Sequence, residues 1–145
     1  MTIYICDDSK SDLLRLNHHL QEYLSHQDQK ITIESFQSGE ELLRRYGETM
    51  EKPSLIFLDI YMNGLLGIDA AHKLRALGFD GAIIFLTASA DFAVDSYDVA
   101  AAGYLLKPHS FDKLCRCMDR VLQDFDTCTY QVQQRMRIVR VPYTE

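Results

Sequence analysis

The sequence predicts an α/β domain on a doubly wound, five-stranded parallel sheet, and three observations carry that reading. Short apolar segments alternate with longer amphipathic ones five times along the chain. The segments SLIFLD (54–59) and GAIIFLTA (81–88) are continuous apolar runs, as strands covered on both faces are, rather than half-exposed alternating ones. The segments between carry one-sided helical spacing, and right-handed crossovers between parallel strands place such helices on both faces of the sheet.

Each element has its own signal. TIYIC (2–6) reads as a buried strand running into Asp7 and Asp8. Ser9 or Ser11 then caps a helix over 11–25, with Leu13, Leu14, Leu20 and Leu24 inward and Leu16 and Tyr23 beside them. ITIESF (31–36) alternates as a strand does. SGEELLRRYG (38–47) has a cap, early acids and late arginines, the polarity a helix dipole favours. After the third strand, 54–59, GIDAAHKLRALG (67–78) forms a helix with Ile68, Ala71, Leu74 and Leu77 inward and a glycine stop. After the fourth, 81–88, DFAVDSYDVAAAG (91–103) is expected as a shorter, weaker helix, and YLLK (104–107) as the fifth strand. SFDKLCRCMDRVLQDF (110–125) closes the set on Phe111, Leu114, Met118, Val121, Leu122 and Phe125.

At 145 residues the chain is one domain of ordinary size with a short extra piece. A net charge of −6 argues against nucleic-acid binding by these residues alone, because phosphate contacts need clustered Lys and Arg. No apolar run is long enough to span a bilayer and the N-terminus lacks a signal-peptide pattern, so the expectation is a cytoplasmic protein with no membrane partner. Cys6 sits in an apolar run, and Cys115 and Cys117 lie two apart on a helix, where they share no face. Reduced thiols rather than a zinc site follow. His18, His19 and His26 fall on or near a polar helix face without the spacing of a metal clasp.

The chemistry is concentrated where the strands end. The first delivers Asp7 and Asp8, the third Asp59, the fourth Thr87, and the fifth Lys107 followed by Pro108. In a parallel sheet these converge on one rim, where doubly wound folds bind ligands. Three carboxylates held together repel one another unless a cation is present, and their hard oxygens suit Mg²⁺. A lysine and a hydroxyl supply donors for phosphoryl oxygens, and Asp59 is a candidate carboxylate nucleophile. Taken singly, Asp7 and Asp8 read as turn or cap residues, Thr87 as a strand residue and Tyr104 as core.

Taken together and in this order, Asp7-Asp8, Asp59, Thr87 and Lys107-Pro108 resemble the receiver domain of two-component response regulators, over roughly residues 2–125. The resemblance implies a (βα)5 flavodoxin-like receiver fold and a signalling domain whose only chemistry is self-phosphotransfer and autodephosphorylation. Asp59 would be the phosphoacceptor, loaded by a sensor histidine kinase or a small phosphodonor. Asp8 and Asp59 would bind Mg²⁺, with Asp7 acting largely through water and Tyr61 offering its backbone carbonyl. Thr87 would hydrogen-bond the phosphoryl group and Lys107 pair with it, on a cis Lys107–Pro108 peptide. Tyr104 would be the switch aromatic, turning inward as Thr87 is drawn to the phosphoryl group. It would thereby reshape the 91–125 face, which could also serve a homodimer. Ser89 and Tyr61 would flank the pocket and tune dephosphorylation. His109 is expected at the surface. Asn63 stands where the family often has proline, while Gly67 matches the usual glycine before the third helix.

Residues 1–125 are thus assigned to the receiver and 126–145 to a linker and the first strand of an output domain. The run MRIVRVPYTE resembles the start of a LytTR-type DNA-binding module, so DNA contact and transcription regulation would come through a C-terminal output domain beyond this fragment. A disordered tail is the plainer reading. Two further alternatives rank behind the receiver: a non-phosphorylated pseudo-receiver used for interaction, and a haloacid-dehalogenase-like phosphatase. The latter places its nucleophile on the first strand as D-x-D, where this chain has D-D. A flavodoxin-like cofactor binder would need a phosphate-cradling loop where CDDSKSD is acidic.

Overall fold

In a computed structural model that describes residues 1–123, the predicted alternation is present. The elements run β1 (Thr2–Cys6), α1 (Lys10–Leu24), β2 (Thr32–Phe36), α2 (Gly39–Glu48), β3 (Leu55–Leu58), α3 (Gly67–Ala76), β4 (Ala82–Thr87) and β5 (Gly103–Leu106). A last helix, α4, covers 111–123. Phe125 and the 126–145 tail lie outside the described residues. None of the described helices is long and apolar enough to cross a membrane.

All five strands are parallel, in the order β2-β1-β3-β4-β5. The chain steps outward from β1 to β2 and then returns to the other side of β1, so the order reverses between β1 and β3. That crevice is the expected ligand position of such a sheet. Pairing continues one residue past the strands: Asp7 N–H donates to Phe36 O (3.0 Å), Asp59 N–H to Cys6 O (3.0 Å) and Lys107 N–H to Thr87 O (2.8 Å). The backbones of the candidate residues are therefore held by the ladder itself.

The strands are apolar throughout because each face has its own core. Tyr4, Ile56, Leu58, Ile83 and Phe85 pack under α2 and α3, while Ile3, Ile5, Phe57, Ile84 and Leu86 pack under α1 and α4. Ser9 caps α1, its hydroxyl accepting from Asp12 N–H, and Ser38 caps α2 in the same way through Glu41 N–H. The inward stripes need two corrections. Leu14 is 70% exposed, because Leu13, Leu16, Leu20, Tyr23 and Leu24 already complete the buried face of α1. Leu77 is 60% exposed, because α3 ends at Ala76 and Gly78 reverses the chain at φ 96°, so that Phe79 enters the core instead.

The helix expected over 91–103 is also corrected. This segment is a series of turns around one 3-10 turn, Asp95–Tyr97. Its aspartates, valines and aromatics are poor helix formers, and its short polar side chains compete for the backbone. Ser96 Oγ donates to Ala93 O (2.5 Å), Asp91 N–H donates to Ser89 Oγ (3.1 Å), and Ala100 takes a positive φ of 53°. Arg75 of α3 ties two carbonyls at the end of this segment to two in the α3–β4 connection. Its guanidinium donates to the carbonyls of Val99 (2.8 Å), Ala100 (3.3 Å), Phe79 (2.9 Å) and Gly81 (2.7 Å). Arg75→Ala is expected to cost about 2 kcal/mol in urea unfolding, with faster amide exchange at 99–102, because charged donors to carbonyls contribute more than neutral ones.

Candidate functional site

Asp7, Asp8 and Asp59 bring carboxylate oxygens within 4.8 Å of one another at the β1–β3 crevice. Asp7 and Asp59 are only 4% and 5% exposed, whereas Asp8 faces solvent. Burial pushes the Asp7 carboxyl up to about 6, with the Asp59 charge adding to it, against hydrogen bonds from Lys107 and Ser9 N–H that favour the anion. Asp8 Oδ2 accepts from Asn63 N–H (3.1 Å), tying the loop after β3 to the first carboxylate pair.

Lys107 reaches into this cluster from the end of β5. Its Nζ lies 2.5 Å from Asp7 Oδ2, 2.9 Å from Asp12 Oδ2 and 3.2 Å from Asp59 Oδ2. Burial alone would lower its pKa, but the bonds to Asp7 and Asp12 and the Asp59 charge hold the ammonium above the ordinary lysine range. It is therefore charged at every physiological pH. The Lys107–Pro108 peptide is cis.

Two buried polar atoms at the rim have no hydrogen-bond partner among the described residues: Asp59 Oδ1 and Thr87 Oγ1. Thr87 is fully buried. Orphaned buried oxygens are costly, and a native fold keeps them where something else completes them. An unpaired carboxylate oxygen beside two further carboxylates fits a hard divalent cation such as Mg²⁺. An unpaired hydroxyl across from it fits an oxyanion.

The surroundings hold Asp59 in place from behind. Gly67 N–H donates to Ile60 O (2.8 Å), and a Cβ at Gly67 would stand 1.9 Å from Asp59 O. The start of α3 thus lies directly against the Asp59 backbone. Tyr61 belongs to the same loop, with its ring against Phe92 and a little under half of its surface in solvent. Tyr104 is half-buried, its ring 6.1 Å from Phe85 and its hydroxyl donating to Ser89 O (2.6 Å).

The structure brings Asp7, Asp8, Asp59 and Lys107 together, with Thr87 and Tyr104 on the adjoining strands. Two residues near the site escaped the sequence reading. Asp12 was legible only as a first-turn residue of α1, yet that turn opens on the same rim as β1. His109, expected at the surface, is only 9% exposed and lies 3.2 Å from His19, Nε2 to Nδ1. Cys6, Cys115 and Cys117 are free thiols, and burial raises the pKa of each.

Residues 3–119 match the response regulator receiver domain family. The chain belongs to that family. The receiver is 37% identical over 108 residues to a sensory transduction protein LytT of Oceanobacillus iheyensis, covering 72% of this chain and 43% of that protein. It is 32% identical over 123 residues to the positive alginate biosynthesis regulatory protein of Pseudomonas aeruginosa, covering 83% and 46%. Among solved structures, response regulator TrrA of Thermotoga maritima in complex with Mg²⁺ and BeF superposes with a TM-score of 0.70 at 29% identity, covering 83% of this chain and 97% of that one. The receiver spans less than half the length of these two curated relatives. Family membership makes it a signalling domain of a two-component response regulator and sets aside the phosphatase reading.

Proposed function

We propose that this receiver accepts a phosphoryl group on Asp59 in a Mg²⁺-dependent reaction. The observation that carries this is the pairing of unpartnered buried Asp59 Oδ1 and Thr87 Oγ1 with the Lys107 ammonium across the three-carboxylate cluster. Asp7, Asp8 and Asp59, with the Tyr61 carbonyl, would hold the ion, which when bound offsets the charge of the carboxylates and of the transferred group. Asp59 attacks phosphorus with one carboxylate oxygen while the bond to the donor, a histidine nitrogen or an acyl oxygen, breaks in line. The donor leaves with that electron pair. Lys107 follows the developing charge from carboxylate to phosphoryl oxygen, and Thr87 gives its hydroxyl proton as a hydrogen bond. This is catalysis by positioning and charge compensation. Water attack on the same phosphorus reverses the modification, which limits the domain to self-phosphotransfer and autodephosphorylation.

Thr87 and Tyr104 then act as the relay. Movement of Thr87 toward the phosphoryl group changes the space beside Phe85 and Tyr104, and the Tyr104–Ser89 bond links that space to the loop after β4 that leads into the turns of 91–102. A packing element with two arrangements, biased by one local charge, is the usual form of such a switch. The 91–125 face is the proposed output and homodimer surface. A sensor histidine kinase is the proposed donor, in the cytoplasm. A DNA-binding, transcription-regulating output is proposed from the likeness of MRIVRVPYTE to a LytTR-type module, and relatives named as a sensory transduction protein and a regulatory protein support a regulatory role. Residues 126–145 are proposed as the linker and first strand of that output.

The test is incubation with Mg²⁺ and acetyl phosphate, followed by intact-mass measurement. Wild type is expected to gain one phosphoryl group, lost with EDTA and absent in Asp59→Asn. A wild type that stays unmodified would favour a pseudo-receiver.

A further inference from the structure

We infer that Asp12 is a positioning residue that competes with the metal-facing carboxylates and the incoming phosphoryl group for Lys107. The inference rests on the acceptor role proposed for Asp59.

Lys107 is shared between two sides. On one are Asp7 and Asp59, at 2.5 and 3.2 Å, both members of the carboxylate cluster that faces the metal. On the other is Asp12, at 2.9 Å, which is outside that cluster. Asp12 and Lys107 line a cavity of about 330 Å³ with Arg15, Leu86, Ala88, Pro108 and His109, whereas Asp7 and Asp59 do not. The Asp12 backbone is fixed by the Ser9 cap at the start of α1, while its side chain is 37% exposed and has room to release the ammonium. Lys107 also holds the Asp12 carboxyl below the usual carboxylate range, so the group is an anion throughout the working pH range.

The consequence is a balance of charge. An ammonium leaning toward Asp12 leans less on Asp7 and Asp59, which leaves these oxygens freer for a cation. The same lean draws Lys107 away from an oxyanion on Asp59. Removing the Asp12 charge therefore has opposite effects on the two ligands: Mg²⁺ binds more weakly and the phosphoryl mimic binds more tightly. Because the pair is partly solvated, each change is expected at about twofold to fivefold. A purely structural role for Asp12 would weaken both together.

The experiment measures Mg²⁺ affinity by titration calorimetry without anion, and beryllofluoride affinity by ¹⁹F NMR at saturating Mg²⁺. Wild type, Asp12→Asn and Asp12→Glu are compared. The expected result is opposed shifts in Asp12→Asn and a return toward wild type in Asp12→Glu, which keeps the charge. Shifts of the same sign, or no shift in either constant, overturn the inference alone, provided that wild type binds beryllofluoride. A wild type that takes up no beryllofluoride overturns the acceptor reading and the inference with it.

Discussion

Lys107→Ala will slow phosphoryl uptake at Asp59 by about 100-fold, the scale on which removal of one preorganised charge donor acts. Lys107 is the only ammonium within hydrogen-bond distance of Asp59 among the described residues, and Thr87 by itself supplies a neutral donor. The substitution also removes the partner of two buried carboxylates. Without metal the variant is therefore expected to lose about 3 kcal/mol of stability, as when one member of a buried ion pair is removed. Mg²⁺ should restore much of that loss, since a divalent cation can take over the compensation. Urea unfolding in EDTA and in Mg²⁺, alongside uptake from acetyl phosphate, measures both effects. Unchanged uptake would remove Lys107 from the chemistry.

Gly67→Ala has the largest expected effect on the fold. The added methyl carbon would lie 1.9 Å from Asp59 O and 2.8 Å from both Asp59 C and Ile60 Cα. These are backbone atoms at the end of the central strand, so no side-chain rotation relieves the overlap. Either α3 moves outward or Asp59 is pushed from its position, at a cost of about 3 kcal/mol or more. The proposed Asp59 site should lose Mg²⁺ affinity in the same variant, because the Asp59 carbonyl and carboxylate move together. Gly47→Ala is the control. Gly47 lies inside α2 with open space around its Cα, and alanine there should stabilise by about 0.5 kcal/mol through helix propensity. Equal unfolding midpoints for the two variants would refute the close approach of α3 to β3.

The sheet and its chemical rim were legible in the sequence for a shared reason. Strands buried on both faces must be apolar along their whole length, so Asp7, Asp59, Thr87 and Lys107 stand out as the residues at which each run ends. Where they end is also where a parallel sheet gathers them. What escaped the reading depends on the third dimension. Asp12 is an ordinary first-turn acid until Lys107, just past β5, is brought to the rim where α1 begins. His109 reads as a surface residue until the chain after β5 is placed against α1, where its ring meets His19. The 91–103 segment has an apolar pattern compatible with a helix, but bonds from Arg75, distant in sequence, to the Val99 and Ala100 carbonyls stabilise turns instead. Leu14 and Leu77 fit a stripe by identity alone, and only the completed face of α1 and the Gly78 reversal exclude them.

The bond that decides the proposed function is the one between phosphorus and a carboxylate oxygen of Asp59. Reduction with borohydride after loading from acetyl phosphate converts an aspartyl phosphate to homoserine, which peptide mass mapping locates to a single residue. Homoserine at position 59, dependent on Mg²⁺, is the predicted result. Homoserine at Asp7, Asp8 or any other carboxylate, with Asp59 intact, would contradict it.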